Sequence, residues 1–383
     1  MQNRQLDFWI FYAVLLLIAF GIIMVYSSSA FYADKFRLDH LYYLKRQLLW
    51  VFAGLILMLL AYKFPYERLQ KKGWIFIVIS IGLLLYLFIS GSSRWINIGF
   101  FHIQVVDVAR LSLIIFFADS LARKEPYLKS FMQGFFPHLF YVLALAGLIV
   151  IQPDFSSAFM LSVIGLAMMF VAPIPVRYFV FSGFLLIPVA ALLIQISSYK
   201  IARIVAFLHP ETDQLGKGYQ IIQSLISLGS GGITGVGFAQ STQKLFFLPE
   251  AHTDFIFSII GEEWGFFGTL FIILLFFILT IRGIVIIKNV PDKFSKYLTF
   301  GLLVNLVFYA LINMMVSAHL APPTGLPLPF ISYGGSSMII SCISAGLLLN
   351  ISARAFSKSQ ISNYQFANRA VHNLKNRKLR YIR

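Results

Sequence analysis

The apolar residues of this chain fall into runs long enough to cross a lipid bilayer, and few other folds can be built from them. A span needs about 20 predominantly apolar residues, within a range near 17–25. By that measure spans lie near 8–27, 46–62, 73–90, 107–122, 137–152, 155–172, 176–196, 255–281, 298–319 and 331–352. Two of the intervening breaks are only three residues long, Gln152-Pro153-Asp154 and Pro173-Ile174-Pro175, and proline marks both as turns. Hydrophobic residues make up 59% of the chain and charged ones 12%, with a mean hydropathy of +0.80. Soluble domains carry about 45–50% apolar and about 25% charged residues. The expectation is an all-α polytopic membrane protein of about ten transmembrane helices. The run from Phe8 to Tyr26 is too long for the apolar region of a cleaved leader, and reads as an uncleaved first span. The single cysteine, Cys342, excludes an intramolecular disulfide.

Ten spans put both termini on one side, and the basic residues choose which. With the termini inside, 21 of the 31 Lys/Arg fall on cytoplasmic segments, nine fall outside, and Arg110 lies within a span. That is the positive-inside pattern, so the net charge of +16 reflects membrane orientation rather than a nucleic-acid partner. Residues 1–353 form one membrane domain. Residues 354–383 form a basic cytoplasmic tail with eight Lys/Arg and no acid, suited to anionic membrane lipid or to a docking partner. The orientation leaves one large extracytoplasmic loop, 197–254, between helices 7 and 8. The 28–45 loop, the Arg94–Asn97 loop and the proline-rich 320–335 segment lie on the same face.

Only 15 of 383 residues are acidic, yet Glu250, His252 and Asp254 alternate just before the eighth span. Ionisable groups spent beside a membrane-length apolar run mark function by default. Asp254 can cap the helix that follows, act chemically, or do both. Glu262 and Glu263 lie about 12–14 Å further along a helix, too deep to share a reacting atom with Asp254, and suit pairing between helices. Asp107 and Arg110, three apart, share a helix face and form an ion pair that either locks packing or lines a substrate cavity. Asp154 suits local capping of its turn.

The run Gly229-Ser230-Gly231-Gly232-Ile233-Thr234-Gly235-Val236-Gly237 lacks the Gly-Lys-Ser/Thr ending of a nucleotide loop and follows no strand. Its glycines are expected to permit close packing at the membrane surface. The segment Pro322–Ser337 carries too many prolines for regular helix. Irregular backbone at membrane depth is tolerated only where it is buried in protein or lines a cavity, and this segment shares a face with Asp254.

Leu248 to Phe255, Thr324 to Ser337 and Arg203 to Gln223 together resemble the SEDS family of bacterial cell-wall polymerases, over about Gly21 to Asn350. Gln243-Lys244 followed by Leu-Pro-Glu-Ala-His-Thr-Asp looks more like the division branch than the elongation branch. The resemblance implies a peptidoglycan glycosyltransferase that polymerises lipid II into a nascent glycan strand at the outer face of the bacterial cytoplasmic membrane. It implies that Asp254 matches the family's essential aspartate. A divalent cation (Mg or Mn), a class B penicillin-binding protein as transpeptidase partner, and other division proteins are implied as well. Two departures stand out. Asp107 and Arg110 replace the family's usual Glu and Lys in the fourth span, and Ser156-Ser157 replaces Gly-Thr. Arg and Lys are not interchangeable at a bidentate site, so a precise role for that pair does not carry over.

An α-linked diphosphate donor and a β-1,4 product need only one inverting displacement, so one general base suffices. That base is expected to be Asp254. Positive charge on the leaving diphosphate is expected from among Arg94, Lys200, Arg203, Lys217 and Lys244. Glu250, His252, Thr253 and Ser332 are further substrate-binding candidates. Glu250, His252 and Asp254 are the candidate metal ligands. A lipid II flippase, a scaffold for division proteins, and an elongation-branch polymerase are the alternative readings.

Overall fold

The computed structural model describes residues 6–91, 94–98, 101–184, 198–212 and 216–355. In chain order the helices are α1 (Phe8–Lys35), α2 (Tyr42–Lys63), α3 (Gly73–Ile89), α4 (Val105–Arg123), α5 (Phe136–Ile151) and α6 (Phe155–Val171). They continue with α7 (176–184), α8 (Ser198–Leu208), α9 (Lys217–Ser230), α10 (Ile256–Asn289), α11 (Lys293–Ser317) and α12 (Gly335–Ala355). Among the described residues, six helical segments are long and apolar enough to cross a membrane: α1, α2, Phe131–Ile151, α10, α11 and α12. The chain is a multi-pass membrane protein. Helices α3 and α6 are apolar but shorter, and α4 carries Asp107, Arg110, Asp119 and Arg123.

Helix α4 is the centre of the bundle. From Val105 to Leu121 only Val108 and Leu111 are partly exposed, and the helix packs against α3, α6 and α11. Helix α12 is almost wholly buried as well, and α2 closes on it so tightly that a side chain at Gly54 would meet the Cys342 sulfur at 2.9 Å. Large apolar side chains of α1, α3 and α10, among them Trp9, Trp74, Ile89, Phe266 and Phe277, point outward. A lipid solvent explains that pattern, because outward apolar groups cost nothing there while charges must turn inward and pair.

The ion pairs follow this rule. At one end of the bundle Asp7 binds Arg282 (2.7 Å) and Ser352 (3.1 Å), tying together α1, α10 and α12. Asp119 binds Arg123 (3.2 Å), while Glu125 pairs with Lys293 and Glu67 with Arg354. Asp107, Asp154, Glu250 and Asp254 gather around a single cavity instead.

Three features depart from the sequence expectation. The molecule is not purely helical: Trp95–Ile98 (β1) and Phe101–Gln104 (β2) form an antiparallel hairpin with Trp95 opposite Gln104 and Asn97 opposite His102. The 28–45 connection is mostly helix, since α1 runs to Lys35 and α2 begins at Tyr42. The 197–254 connection holds α8 and α9. Residues 185–197 and the tail from 356 onward lie outside the described residues.

Helix α10 is broken. Gly265 stands at φ 63° and ψ −156°, so the run from Ile256 to Asn289 is two helices meeting at a kink. A break frees backbone groups that would be costly to bury unbonded. The glycine-rich loop satisfies them: the amides of Val236 and Gly237 donate to the carbonyls of Glu262 and Glu263 (2.9 and 3.1 Å). In return the amides of Phe266 and Phe267 donate to Gly232 and Ile233 (3.0 and 3.3 Å). Contact this close needs glycine on both sides, because a side chain at Gly235 would strike the Glu263 backbone and one at Gly265 would strike Gly235. Gly265→Ala is therefore expected to destabilise the protein by about 1–3 kcal/mol, seen as a lower unfolding temperature in detergent. Gly229→Ala, where the space is open and φ ordinary, is expected to stay within about 0.5 kcal/mol of wild type.

Candidate active site

The backbone around Asp254 is held by a dense set of hydrogen bonds. Glu250 adopts a left-handed conformation, φ 54°, and the amides of Thr253, Asp254 and Phe255 all converge on its carbonyl at 3.1–3.3 Å. From α11, the Asn313 side chain donates to the carbonyls of both Asp254 and Leu326, each at 2.8 Å. The Ser332 hydroxyl donates to the Thr253 carbonyl (2.6 Å) and accepts the Leu328 amide (2.8 Å). The Tyr333 amide donates to the His252 carbonyl (3.0 Å). The proline-rich segment is thus laced to residues 252–254. Its prolines keep it irregular, and so leave groups able to bond outward.

The capping role open to Asp254 goes unused. Phe255 occupies the position before α10, with no side-chain cap, and the Asp254 carboxylate faces a cavity of about 330 Å³. It comes so close to Gly325 that a side chain there would lie 3.2 Å from Oδ2; Gly325 itself has φ 71°. Asp154 does cap, accepting the Ser157 amide (3.2 Å) and hydroxyl (2.9 Å), and it also lines the cavity.

The cavity walls come from all along the chain. Arg94 and Trp95 enter from the hairpin, Asp107 from α4, Pro153–Ser157 from the α5–α6 turn, and Arg203 from α8. Glu250, Thr253 and Asp254 face them, with Thr324–Pro327 and Tyr333–Ser337 completing the wall. Arg94 donates to the carbonyls of Gln152 (3.3 Å) and Pro153 (2.6 Å) and lies 3.9 Å from Asp154. Arg203 donates to Ser156 (3.1 Å). Asp107 accepts from Arg110 (3.0 Å) and Ser336 (2.6 Å), and the Arg110 guanidinium lies over the Tyr309 ring at 3.8 Å. The Asp107–Arg110 pair therefore serves both uses left open by its spacing: it locks α4 to α11 and α12, and its acid reaches the cavity.

Several sequence candidates sit elsewhere. Lys244 is buried and bound to Glu263 (2.9 Å) and Ser27 (3.1 Å), so it neutralises an acid at the α10 break instead of facing the cavity. Glu262, beside it, accepts from Ser227, Ser241 and Thr242 at 2.6–3.0 Å. Ser332 is buried and spent on backbone. His252 turns away into a cage of Tyr32, Tyr43 and Tyr333, with ring centroids 4.9–5.8 Å from its own. Lys200 and Lys217 fall on α8 and on the first residue of α9, and their side chains lie outside the described residues. Gln104 and Ser336 were not among the candidates, although Ser336 stands in the Thr324–Ser337 run; they donate to Asp154 (3.2 Å) and Asp107 (2.6 Å).

The Cell cycle protein family model, which covers FtsW, RodA and SpoVE, matches residues 7–356. The chain belongs to this family. It is 39% identical over 356 residues to a probable peptidoglycan glycosyltransferase FtsW of Trichlorobacter lovleyi, covering 91% of this chain and 93% of that one. Stage V sporulation protein E of Bacillus subtilis is 39% identical over 345 residues, covering 88% and 94%. Among solved structures, a chain of a peptidoglycan synthase complex that coordinates polymerization and crosslinking superposes with a TM-score of 0.75 at 26% identity, covering 92% and 98%. Rod shape determining protein RodA of Thermus thermophilus gives 0.66 at 25%, covering 91% and 96%. The family expected from Leu248–Phe255 and Thr324–Ser337 is thus the family found.

Two measurements test these placements. Burial holds the His252 imidazole below the ordinary histidine value of 6.5, against a smaller opposing pull from Glu250. The unfolded chain therefore takes the proton first, so the contribution is intact above about 6.5 and is lost as pH falls toward the depressed folded value. Lowering pH from about 7.5 to about 5.5 is expected to reduce the unfolding temperature of wild type more than that of His252→Phe. Lys244→Met leaves Glu263 buried without its cation, and is expected to cost about 3–5 kcal/mol of stability rather than to raise the KM for substrate.

Proposed function

We infer that this chain is a peptidoglycan glycosyltransferase of the division branch that polymerises lipid II. The observation that carries the reading is one cavity lined by Asp254 together with two arginines, Arg94 and Arg203. Ten crossings with both termini inside are supported by the 21 of 31 Lys/Arg that such a topology keeps on the cytoplasmic side. The cavity then opens at the outer face of the bacterial cytoplasmic membrane.

The sugar 4-hydroxyl of one substrate attacks the anomeric carbon of the other. A new C–O bond forms with inversion, and the bond to the diphosphate breaks with its electron pair leaving on oxygen. Asp254 takes the hydroxyl proton, and its laced backbone keeps the carboxylate in one place while it does so. Arg94 and Arg203 stabilise the charge that develops on the diphosphate. Glu250, bonded to the Thr253 hydroxyl at 3.0 Å, holds the turn and adds a second carboxylate to the same wall.

Among the described residues no three His, Cys, Asp or Glu side chains are grouped to hold an ion by themselves. A magnesium-type ion needs only one or two carboxylates when substrate phosphates complete its shell. Asp254 and Glu250 fit that requirement, whereas His252, enclosed by tyrosines, does not. When bound there, such an ion would supply positive charge to the diphosphate. The likeness to a chain of a complex that polymerises and crosslinks supports a transpeptidase partner for this chain as well.

Purified Asp254→Asn is expected to fold normally and to lose roughly 10²–10⁴-fold in polymerisation of labelled lipid II. Near-normal polymer from a folded Asp254→Asn protein would sink the assignment of the base.

A further inference from the structure

A second cavity of about 420 Å³ adjoins the first and shares Trp95, Thr253, Tyr333 and Gly334 with it. Its remaining lining is Arg46, Trp50, Asn97, His102 and Gly335. None of these five is used by the chemistry described above. Resting on the polymerase reading, we propose that this cavity is a glycan subsite that holds a sugar ring of the growing strand beyond the disaccharides that react.

The β-hairpin makes the two cavities continuous. Alternate residues of a strand share a face, so Trp95 and Asn97 point the same way, as do their cross-strand partners Gln104 and His102. Trp95 and Gln104 meet the catalytic cavity; Trp95, Asn97 and His102 meet the second. One face of one hairpin therefore runs from the reacting centre into the side cavity.

The lining is of the kind that binds sugars. Trp95 and Tyr333 offer flat apolar surfaces to the C–H face of a pyranose ring, and Trp50, only 7% exposed, backs the cavity behind them. Trp50 lies against Gly335, where any side chain would run into the indole, so its ring plane is set by the backbone. Trp95 remains 39% exposed, and Asn97 and His102 beside it are exposed as well. The polar groups are paired in advance. His102 Nδ1 donates to Asn97 Oδ1 (2.5 Å), which leaves the imidazole Nε2 as acceptor and the amide nitrogen as donor for hydroxyl or acetamido groups. Arg46 rests over Tyr42 at 4.7 Å and adds further donors. An acyl chain would leave all of these unused, whereas a sugar stacks and hydrogen-bonds together.

A subsite beyond the reacting bond retains the strand between additions without touching the first coupling. The test follows the full chain with labelled lipid II and resolves product lengths for wild type, Asn97→Ala/His102→Ala and Trp50→Leu, with Trp50→Phe as the conservative control. The expected result is strands several-fold shorter from the double variant and from Trp50→Leu, with an unchanged rate of the first coupling. Trp50→Phe is expected to restore length. Wild-type length distributions in folded variants would overturn the subsite. So would equal loss of first coupling and elongation, which would mark a structural role or an acyl chain as occupant. If wild type itself makes no polymer, the polymerase reading fails; if it polymerises and the exposed-site double variant matches it, the subsite fails alone.

Discussion

Every polar group of this protein that leaves water must find its partner within the protein, and the broken tenth helix shows how far that demand shapes the fold. Kinking α10 at Gly265 releases amides and carbonyls in an apolar setting. The loop 229–237 supplies replacements through its own backbone, and Lys244, Ser27, Ser227 and Ser241 supply side chains for the two carboxylates beside the break. A glutamate buried alone would cost several kcal/mol. Here residues from α1, α9 and the loop bind both oxygens of Glu262 and one of Glu263, so the break serves as a junction of three segments.

The catalytic wall obeys the same constraint. Proline keeps 322–329 from forming helix, and its unspent backbone groups bind Asn313 and Ser332, while the Tyr333 amide binds the turn that carries Asp254. An irregular segment thereby becomes a rigid one. Asp254 caps no helix and lines the same cavity as Arg94 and Arg203. Function here depends on where the backbone sends its hydrogen bonds as much as on which side chains are charged.

What could be read from sequence follows from the range of each interaction. The apolar runs were legible because lipid imposes a length on each span locally, and α1 to α6 and α10 to α12 lie where those runs lie. The place of Asp254 on the cavity wall was legible because its neighbours in sequence were themselves unusual. Lys244 and His252 belong to the same conspicuous stretch, yet they face Glu263 and three tyrosines, because the turn at Glu250 sends successive side chains to different neighbours. Gln104 and Ser336 bind acids that lie far away in the chain, and no local pattern encodes that. The hairpin has strands of four residues, too short for alternation to stand out. Gly265 is one of 26 glycines, and only its φ distinguishes it.

The packing of α2 on α12 has a practical consequence. The only sulfhydryl of the chain, Cys342, is fully enclosed and pressed against Gly54. The natural protein is in effect already cysteine-light. A reporter thiol introduced at an exposed position such as Asn97 of β1 or Ser230 at the end of α9 can be modified by a membrane-impermeant reagent in an otherwise native sequence, so the side on which each lies can be read directly from intact cells.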